Sequence, residues 1–410
     1  MRILLINHYA GSPEHGMEYR PYYLAREWIK MGHEVHIVAA SWSHLRSMQP
    51  KLVNNRQDTE ITGILYTWFL TPPYTGNGVG RVRNMATFVW RLFLAGKTIA
   101  AEFKPDVVIA SSTYPMDIWP ARRIARFANA KLVYEVHDLW PLSPIELGGM
   151  PHWHPFIMLV QAAENYAYRN VDVVVSMLPK VKKYMESRGL APSKLHIVPN
   201  GIDPAEWEGQ GSELANELHD LFDKLRDSGC TIVGYAGAHG VANALDSLLE
   251  VAQCMQNENV VFVLVGNGSE KSALMEQAEA MELENIRFVD PVSKSQIPAL
   301  LKQFDIAYIG LQSQPLFKFG IAPNKLMDYM MAARPVIMAI DAGNDPVSEA
   351  GCGVTVAPEN PDEIRQGLHK LLSLSASERE AMGKRGREYV IQRHSYPVLA
   401  RQFAALLEQA

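Results

Sequence analysis

The chain has 410 residues, a formal net charge of −5 and only three cysteines. This length suits about two domains, and the net negative charge gives no global electrostatic case for nucleic-acid binding. Cys230, Cys254 and Cys352 are scattered and lack CxxC spacing, so we predict neither a disulfide framework nor a zinc site.

The N-terminal residues 1–8 predict a first buried strand rather than a signal peptide, because the apolar run is short and soon becomes polar. No stretch of the chain approaches the roughly 20 apolar residues of a membrane-spanning helix. We therefore expect a cytoplasmic protein, and we leave attachment to a membrane surface open.

Strand and helix patterns alternate in the first half of the chain, which predicts a parallel sheet with helices on both faces. Each predicted strand is mostly Val, Ile or Leu, as expected for strands that are covered on both sides. These strands are 2–7, 34–39, 106–110, 131–136 and 172–176. An amphipathic helix over 19–31, closed by Gly32, joins the first two strands into one βαβ unit.

The same pattern starts again in the second half of the chain. Its predicted strands are 231–235, 260–265, 286–288, 305–309 and 335–339, and a helix is predicted over 243–256. The Pro- and Gly-punctuated stretch 199–204 lies between the halves. We therefore predict an N-terminal domain over 1–204 and a C-terminal domain over 205–389, with a last helix, about 390–410, that packs back on the first domain.

These patterns predict an α/β fold of two Rossmann-like, doubly wound domains that face one central cleft. Doubly wound sheets bind ligands at the carboxyl ends of their strands. The loops that follow the predicted strands are therefore the first places to look for a functional site.

The loop 7–16 follows the first strand and contains Gly11 and Gly16. Glycines at a helix start allow backbone N–H groups to approach an anion. The spacing is not GxGxxG, so we do not predict a dinucleotide cofactor. An ordinary loop with a turn glycine is an equal alternative.

The loop 137–148 follows a buried strand and begins with His137 and Asp138. Here His137 could donate a hydrogen bond to a sugar hydroxyl or share a proton, and Asp138 could orient a neighbour or bind an acceptor hydroxyl. The alternative is that Asp138 only caps the next helix or turn.

Two loops of the second half are further candidates. In the turn 266–270 the backbone could approach a ligand, although a plain connector is the alternative. The loop 317–326 leads into a helix whose first N–H groups could hold a diphosphate, with Lys325 or Lys318 as a cation. One turn into that helix, Asp328 could bind a ribose diol, or it could be a solvated surface residue.

Several segments resemble, in the same order, the motifs of the family-four retaining glycosyltransferases. Segment 324–336 resembles "PNKLFEYMAAGKPV", and segment 198–203 resembles "IPNGVD". Segments 32–35 and 265–268 are similar to "GHEV" and "VGDG". The run 137–148 resembles the "RDLWPES…LG" run of the branch that includes bacterial aminosugar transferases, such as the L-fucosamine transferases. Together these short matches cover nearly the whole chain.

The resemblance implies a GT-B fold and a retaining transfer that needs no bound metal and no other cofactor. It also implies a nucleotide-sugar donor held mainly by the C-terminal domain. By position, Asp328 would bind the donor ribose, and Gly320 stands where the family has the first acid of its Glu-x7-Glu motif. Donor contacts are further expected from Gly16, His239, Asn243, Gly266, Asn267, Ala322, Asn324, Lys325 and Leu326. By position, His137 matches a cleft histidine near the transferred sugar, with Asp138 beside it as a second catalytic candidate.

The sequence departs from the family pattern at the phosphate site. Many members carry an Arg and a Lys after the first strand of the C-terminal domain, whereas residues 237–244 offer only His239 and Asn243 as polar side chains. Neutralisation of the diphosphate is then expected to depend on helix N-termini and on Lys325 or Lys318.

The acceptor site is predicted from the stretch 72–93, which is glycine-rich and then apolar, aromatic and basic. Arg81 and Arg83 in this stretch, together with Glu146, are the acceptor-binding candidates. One hypothesis is an interfacial segment that meets anionic lipid and a polyprenyl-diphosphate-linked acceptor. An ordinary amphipathic helix packed on the first domain is the alternative.

The sequence thus predicts a retaining, hexosyl-type glycosyltransferase that acts on a UDP-sugar, with an N-acetylated aminosugar favoured by the resemblance. The expected acceptor is a glycan or a lipid-linked glycan in cell-surface polysaccharide synthesis, such as lipopolysaccharide or capsule. One alternative is a GT-B nucleotide-sugar epimerase, which would need additional carboxylates. The other is a non-catalytic nucleotide-sugar-binding protein, which the missing acid and the missing basic pair would favour.

Overall fold

The computed structural model of the protein describes residues 1–16, 19–208 and 212–409. The chain forms two compact units, one made of Met1–Asn200 with Tyr396–Ala410 and the other of Gly201–Ser395. Each unit is built on a largely or wholly parallel sheet that alternates with helices. This confirms the predicted fold of two Rossmann-like α/β domains.

The first unit contains an eight-stranded sheet in its described part. Its strands are β1 (Arg2–Ile6), β2 (Glu34–Ala40), β3 (Arg56–Ile61), β4 (Ile64–Phe69), β5 (Val107–Ala110), β6 (Lys131–Val136), β7 (Val173–Ser176) and β8 (Leu195–Ile197). Their order across the sheet is β3-β4-β2-β1-β5-β6-β7-β8, and only the β3–β4 pair is antiparallel. In the central strand β1, Ile3 and Leu4 are both fully buried because the two faces of the sheet are covered.

The helices of the first unit follow the strands in the order expected of a doubly wound sheet. They are α1 (Tyr19–Lys30), α2 (Val79–Phe103), α3 (Ile118–Ala128), α4 (Leu142–Glu146), α5 (Pro155–Asn170) and α6 (Lys182–Ser187). Both α2 and α3 end at a left-handed residue, Lys104 and Asn129, whose N–H closes the last turn. These two long helices pack side by side on the sheet.

The second unit contains a six-stranded, wholly parallel sheet in its described part. Its strands are β9 (Thr231–Ala236), β10 (Val260–Val265), β11 (Ile286–Val289), β12 (Ile306–Gly310), β13 (Val336–Ala339) and β14 (Gly353–Val356), in the order β11-β10-β9-β12-β13-β14. Its helices are α7 (Ala205–Glu208), α8 (Asn216–Asp227), α9 (Asp246–Cys254), α10 (Lys271–Ala280), α11 (Ile297–Leu301), α12 (Asn324–Met331), α13 (Pro346–Ala350), α14 (Pro361–Leu372) and α15 (Ala376–His394). Two apolar cores, one on each face of the sheet, hold this unit together.

The last helix, α16 (Tyr396–Gln409), belongs to the first unit and packs on α1. The indole N–H of Trp28 donates to the carbonyl of Ala400 at 3.0 Å, and the Trp28 ring meets Phe403 edge to face. The last residue of the predicted helix, Ala410, lies outside the described residues.

The division between the units falls a few residues before the predicted boundary at Pro204. The N–H of Ile202 donates to the carbonyl of His394, and Ile202 also forms a bridge with Ser395, so this segment is tied to the second unit. The last helix was expected within about 390–410, with helical spacing from roughly Ser395 to Gln409, and it runs from Tyr396 to Gln409 because α15 continues to His394.

The structure adds elements that the sequence pattern did not predict, among them the β3–β4 hairpin and the edge strands β8 and β14. Strand β3 has the sequence RQDTEI and lies at the sheet edge, so it lacks the apolar character used to predict strands. Helix α9 begins at Asp246 and not at Asn243, because Ala244 adopts a left-handed conformation. Of the helices that the structure describes, none combines the length and apolarity needed to cross a membrane.

Candidate functional site

Strand β6 carries His137 to the carboxyl edge of the first sheet, where the side chain turns inward and is only 8% exposed. Its Nε2 lies 3.0 Å from the hydroxyl of Ser111, which follows the neighbouring strand β5, and 3.5 Å from a carboxylate oxygen of Glu135. The Ser111 hydroxyl donates its single proton to Glu135 at 2.6 Å. Nε2 of His137 must therefore donate to Ser111, and this network orients the imidazole.

Glu135 and Arg20 form a buried ion pair behind His137, with 2.9 Å between the guanidinium and the carboxylate. Arg20 also donates to the carbonyls of Val198 and Pro199, so the pair joins α1, β6 and the end of the first unit. Burial alone would raise the pKa of Glu135, but the Arg20 charge and the neighbouring His137 and Ser111 side chains lower it to about 2. The carboxylate is therefore ionised at neutral pH.

Asp138 differs from its neighbour His137 because it is exposed. The short helix α4 is preceded by Pro141 and has no side-chain cap, so the structure does not support the capping role considered for Asp138. The loop thus presents a solvent-accessible carboxylate beside a mostly buried imidazole.

Arg81, one of the predicted acceptor residues, lies against the same loop. Its guanidinium is 5.6 Å from the centroid of the Trp140 ring, and it donates to the hydroxyl of Tyr9 at 3.2 Å. By contrast, Arg83 and Glu146 are exposed, and neither side chain makes a hydrogen bond or ion pair with the residues that the structure describes.

Gly16 lies in the predicted loop after β1 and adopts a left-handed conformation with φ +63°. A Cβ at this position would come within 2.2 Å of the Ser47 hydroxyl oxygen, so only glycine fits. The glycine therefore lets two loops at the edge of the first sheet approach each other.

In the second unit, Lys325 lies at the start of α12, close to the loop that follows β9. Its Nζ donates to the Tyr235 hydroxyl at 2.7 Å and to Oδ1 of Asn243 at 2.8 Å, and it lies 4.2 Å from the Tyr235 ring centroid. No carboxylate of the described residues is within ion-pair distance of this nitrogen. Burial therefore lowers the pKa of Lys325 to about 7.

The loops after β9 and β10 contact each other through their backbones. The N–H of His239 donates to the carbonyl of Asn267 at 2.9 Å. A Cβ at Gly266 would lie 1.9 Å from the carbonyl oxygen of Gly237, and Gly266 has φ +147°, so glycine is required for this approach. The structure thus brings together five of the predicted donor residues, namely His239, Asn243, Gly266, Asn267 and Lys325.

His239 is fully buried, and neither of its ring nitrogens has a hydrogen-bond partner among the described residues. Burial, followed by the nearby charges of Lys271 and Lys325, lowers the pKa of His239 to about 4. The imidazole is therefore neutral at pH 7 and retains its hydrogen-bonding capacity.

The loop that enters α12 is held in place by Asn344, which exchanges two hydrogen bonds with the backbone of Ile321. Gly320 precedes it with φ +104°, and the predicted residues Ala322 and Asn324 follow. The N–H groups of the first turn of a helix have no intrahelical partners, so this turn can donate to an anion. The helix is preceded by Pro323 and has no side-chain cap.

Leu326 and Asp328 occupy different environments on α12. The Leu326 side chain is fully buried in the apolar core, so only its backbone is available to a ligand, which narrows its predicted role. Asp328 is half-buried. Burial, which outweighs the opposing charge of Lys294 and is aided by that of Glu206, raises the pKa of Asp328 to about 7.

Sequence reasoning did not single out several residues that shape these sites. They are Arg20, Ser111 and Glu135 in the first unit and Tyr235 in the second. One signal was present, since a glutamate in an otherwise apolar strand that leads to His137 requires a buried partner. The residue that supplies this partner is not adjacent in sequence, so no local pattern could identify it.

Two family models match this chain. The model described as Glycosyltransferase Family 4 matches residues 15–206, and the model described as Glycosyl transferases group 1 matches residues 230–374. WcaI of Escherichia coli K12, whose name assigns it to colanic acid biosynthesis as a glycosyl transferase, is 23% identical over 251 residues. The match covers 60% of this chain and 61% of WcaI, so the chain matches about three fifths of the length of that relative.

Solved structures with the same fold cover the whole chain. Sucrose-phosphate synthase from Thermosynechococcus elongatus superposes with a TM-score of 0.72 at 15% identity, over 100% of this chain and 98% of that one. HepE of Anabaena, in complex with UDP and glucose, superposes with a TM-score of 0.67 at 16% identity over 100% of both chains. The two family models together span most of the chain, so the chain is a glycosyltransferase built from these two domain types, and the solved structures show that it has the GT-B fold.

Proposed function

We propose that this glycosyltransferase moves a hexosyl group from a UDP-sugar, with retention of anomeric configuration, to a glycan or a polyprenyl-diphosphate-linked acceptor. An N-acetylated aminosugar is the favoured donor, on the resemblance of the 137–148 run to the aminosugar branch. We place the reaction in the cytoplasm, in cell-surface polysaccharide synthesis, with the protein peripherally attached to the membrane. The colanic acid role in the name of WcaI supports this setting.

The position of Lys325 is the observation that supports this proposal most directly. The chain has no Arg–Lys pair after β9, but the Lys325 ammonium extends from α12 towards this loop and is held by Tyr235 and Asn243. Its charge is not neutralised by a described carboxylate, and the first-turn N–H groups of α12, which point away from the helix towards its N-terminal end, lie next to it in sequence. A diphosphate would supply the missing negative charge.

UDP is proposed as the nucleotide because HepE, which shares the fold over the full chain, was solved with UDP and with UDP-glucose. When UDP is bound, Asp328 would accept hydrogen bonds from the ribose diol through its carboxylate. His239, buried and without a described partner, would give a hydrogen bond to a phosphate oxygen or to the sugar.

The proposed chemistry is a front-face displacement. The bond between C1 of the sugar and the diphosphate oxygen breaks, and C1 forms a bond with the acceptor oxygen on the same face. The acceptor proton passes to a leaving phosphate oxygen, so no carboxylate is needed as a nucleophile at the position of Gly320. Lys325 and the α12 amides stabilise the charge that develops on the diphosphate.

In this scheme, the His137 imidazole is oriented by the Ser111–Glu135 network and contacts the transferred sugar. Asp138, exposed beside it, binds an acceptor hydroxyl. In this scheme Lys325 and the α12 amides neutralise the diphosphate, and no metal takes part.

Thermal-shift titration with UDP-, GDP- and dTDP-sugars, followed by NMR of the product, tests this proposal. We expect the UDP-sugars to give the largest shift and the new glycosidic bond to keep the anomeric configuration of the donor. A product of inverted configuration, or a preference for GDP- or dTDP-sugars, would contradict it.

The same assay separates the two alternative functions. An epimerase would convert the UDP-sugar without any acceptor, whereas a transferase forms free UDP in proportion to glycosylated acceptor. A binding protein would show the thermal shift but would release no UDP with any acceptor, and its thermal shift would be the only response to the UDP-sugar.

A further inference from the structure

An open groove lies on the first unit between α2, the start of α3 with the segment 115–117 before it, and α5. It encloses about 420 Å³, and its lining is almost wholly apolar. Its main lining side chains are Val82, Trp90, Phe93, Trp119, Phe156 and Leu159. Exposure of an apolar groove of this size to water costs free energy unless a ligand or a partner covers it.

Two of the three helices that line this groove, α2 and α3, are strongly basic. Helices α2 and α3 carry seven Arg or Lys residues and a single acid, Glu102, although the whole chain has a net charge of −5. The Arg123 guanidinium lies 4.5 Å from the Phe93 ring centroid, at the wall of the groove. The surface therefore combines an apolar interior with a basic border, which is complementary to a lipid that carries negative charge.

One residue that lines the groove contacts the loop that carries His137. Phe156 lines the groove, and its ring meets the Trp140 ring edge to face at 6.3 Å. The Arg81 guanidinium lies 5.6 Å from the same Trp140 ring. A hydrocarbon chain that lies in the groove and reaches Phe156 would thus end near the Arg81 guanidinium, which lies against the loop of His137.

We propose that this groove holds the hydrocarbon chain of a polyprenyl-diphosphate-linked acceptor, with its diphosphate at Arg81 and its glycan at the loop of His137. This inference rests on the proposed function, for which it names the acceptor subsite. A single groove fits the single chain of a polyprenyl lipid better than the two chains of a membrane phospholipid. Arg81 would act by positioning the lipid phosphate.

Calorimetric titration with farnesyl diphosphate, a soluble isoprenyl diphosphate, tests the groove directly. We expect binding to the wild-type protein, and a loss of tenfold or more in affinity in Trp90→Glu and in Leu159→Glu, because each puts a charge into the apolar lining. The matched controls are Leu94→Glu on α2 and Met158→Glu on α5. These residues are 61% and 60% exposed, compared with 63% for Trp90 and 47% for Leu159, but they do not line the groove.

A second comparison separates the contribution of the ligand's hydrocarbon chain to binding from that of its diphosphate. In Arg81→Gln, affinity for farnesyl diphosphate should fall several-fold while affinity for farnesol stays within twofold of the wild type. Inorganic diphosphate alone should bind at least tenfold more weakly than farnesyl diphosphate. Equal affinity for inorganic diphosphate and farnesyl diphosphate would overturn the proposal, because the hydrocarbon chain would then contribute nothing to binding.

Three further results would overturn the groove assignment. The first is that farnesyl diphosphate does not bind. The second is that all four glutamate substitutions weaken its binding equally. The third is that all four variants lose binding to anionic phospholipid vesicles while their affinity for farnesyl diphosphate is unchanged. The last result would identify a face that meets the bilayer. UDP-induced thermal shifts of the same variants distinguish the two proposals, since the groove lies in the first unit and the proposed UDP residues lie in the second. If UDP does not bind, the donor assignment fails, whereas a groove failure leaves the UDP shift intact.

Discussion

The two units treat their buried charges in opposite ways. In the first unit, Glu135 is fully enclosed but paired with Arg20, and its pKa falls to about 2. In the second unit, burial lowers the pKa of Lys325 to about 7 and raises that of Asp328 to about 7. Glu135 therefore stays ionised beside Arg20 over the whole physiological pH range, whereas Lys325 and Asp328 titrate within that range.

This difference separates a scaffold from a binding site. A buried charge with an internal partner is already compensated, so it fixes the surrounding loops and gains nothing from a ligand. A half-buried charge without an internal counterion has lost part of its hydration, and a ligand of opposite charge or a hydrogen-bonding diol can compensate for that loss. We therefore propose that Glu135 orients His137 and that Lys325 and Asp328 contact the donor directly.

The largest expected effect tests the scaffold. Glu135→Gln leaves the buried Arg20 without its counterion, and we expect the free energy of unfolding to fall by about 3–5 kcal/mol. Chemical denaturation measures this loss. Lys384→Met, which removes an exposed pair with Glu380, is the control and should change the stability by about 1 kcal/mol at most. A Glu135→Gln protein as stable as the control would show that the pair is not a scaffold.

The next effect concerns the proposed phosphate cation. Lys325→Met should lower kcat by about 100- to 1,000-fold, the range found when one donor to a developing oxyanion is removed. The exposed Lys318, the other candidate cation, serves as the matched control in Lys318→Met. Steady-state kinetics with the UDP-sugar decides between them, and a larger loss in the Lys318 variant would move the phosphate site away from Lys325.

Asp328→Asn is expected to have a smaller effect, on donor affinity. The uncharged amide has one acceptor oxygen, so it can accept only one of the two hydrogen bonds that a ribose diol donates to a carboxylate. The Kd for UDP should therefore rise by about ten- to a hundredfold. Calorimetry with UDP measures this change. An equal loss for UMP and UDP is expected, because both contain the ribose, and a loss confined to UDP would contradict the ribose assignment.

The pH profile of kcat/KM should be bell-shaped with a maximum near pH 7, with changes of about tenfold per pH unit on either side. Asp328 acts when ionised, so activity rises as the pH passes upward through about 7, and Lys325 acts when protonated, so activity falls above about 7. Lys325→Met should remove the alkaline limb and Asp328→Asn the acidic limb. Unchanged profiles in both variants would show that other groups titrate.

The same pKa shifts predict opposite trends in stability. A carboxyl whose pKa is raised from 3.8 to about 7 binds its proton more tightly when folded, so its contribution to stability falls as the pH rises from about 4 to 7. Lys325, with a lowered pKa, contributes the reverse trend between about pH 7 and 10. Denaturation of the Asp328→Asn protein should lack the first trend.

The smallest expected effect comes from metal removal. If Lys325 and the α12 amides neutralise the diphosphate, treatment with EDTA should leave kcat/KM within about twofold of the untreated value. Restoration of a lost activity by Mg²⁺ or Mn²⁺ would show that a metal takes part and that Lys325 and the α12 amides do not neutralise the diphosphate alone.

The sequence by itself determined the fold class and the position of most strands, because their apolar residues are local and continuous. The strand β6 and the strand β10 begin and end at the predicted residues. It also placed the candidate loops, since strand ends and glycines can be read directly from the chain. The polar edge strand β3 was missed for the same reason, because its pattern contains no apolar run.

Only the tertiary structure decided which side chains meet and which charges are compensated. Arg20 and Glu135 are 115 positions apart, and Lys325 and Tyr235 are 90 positions apart, so no local spacing encodes either contact. The groove between α2, α3 and α5 also exists only once the helices pack. The pKa of a group depends on its burial and its neighbours in space, and both are properties of the folded chain.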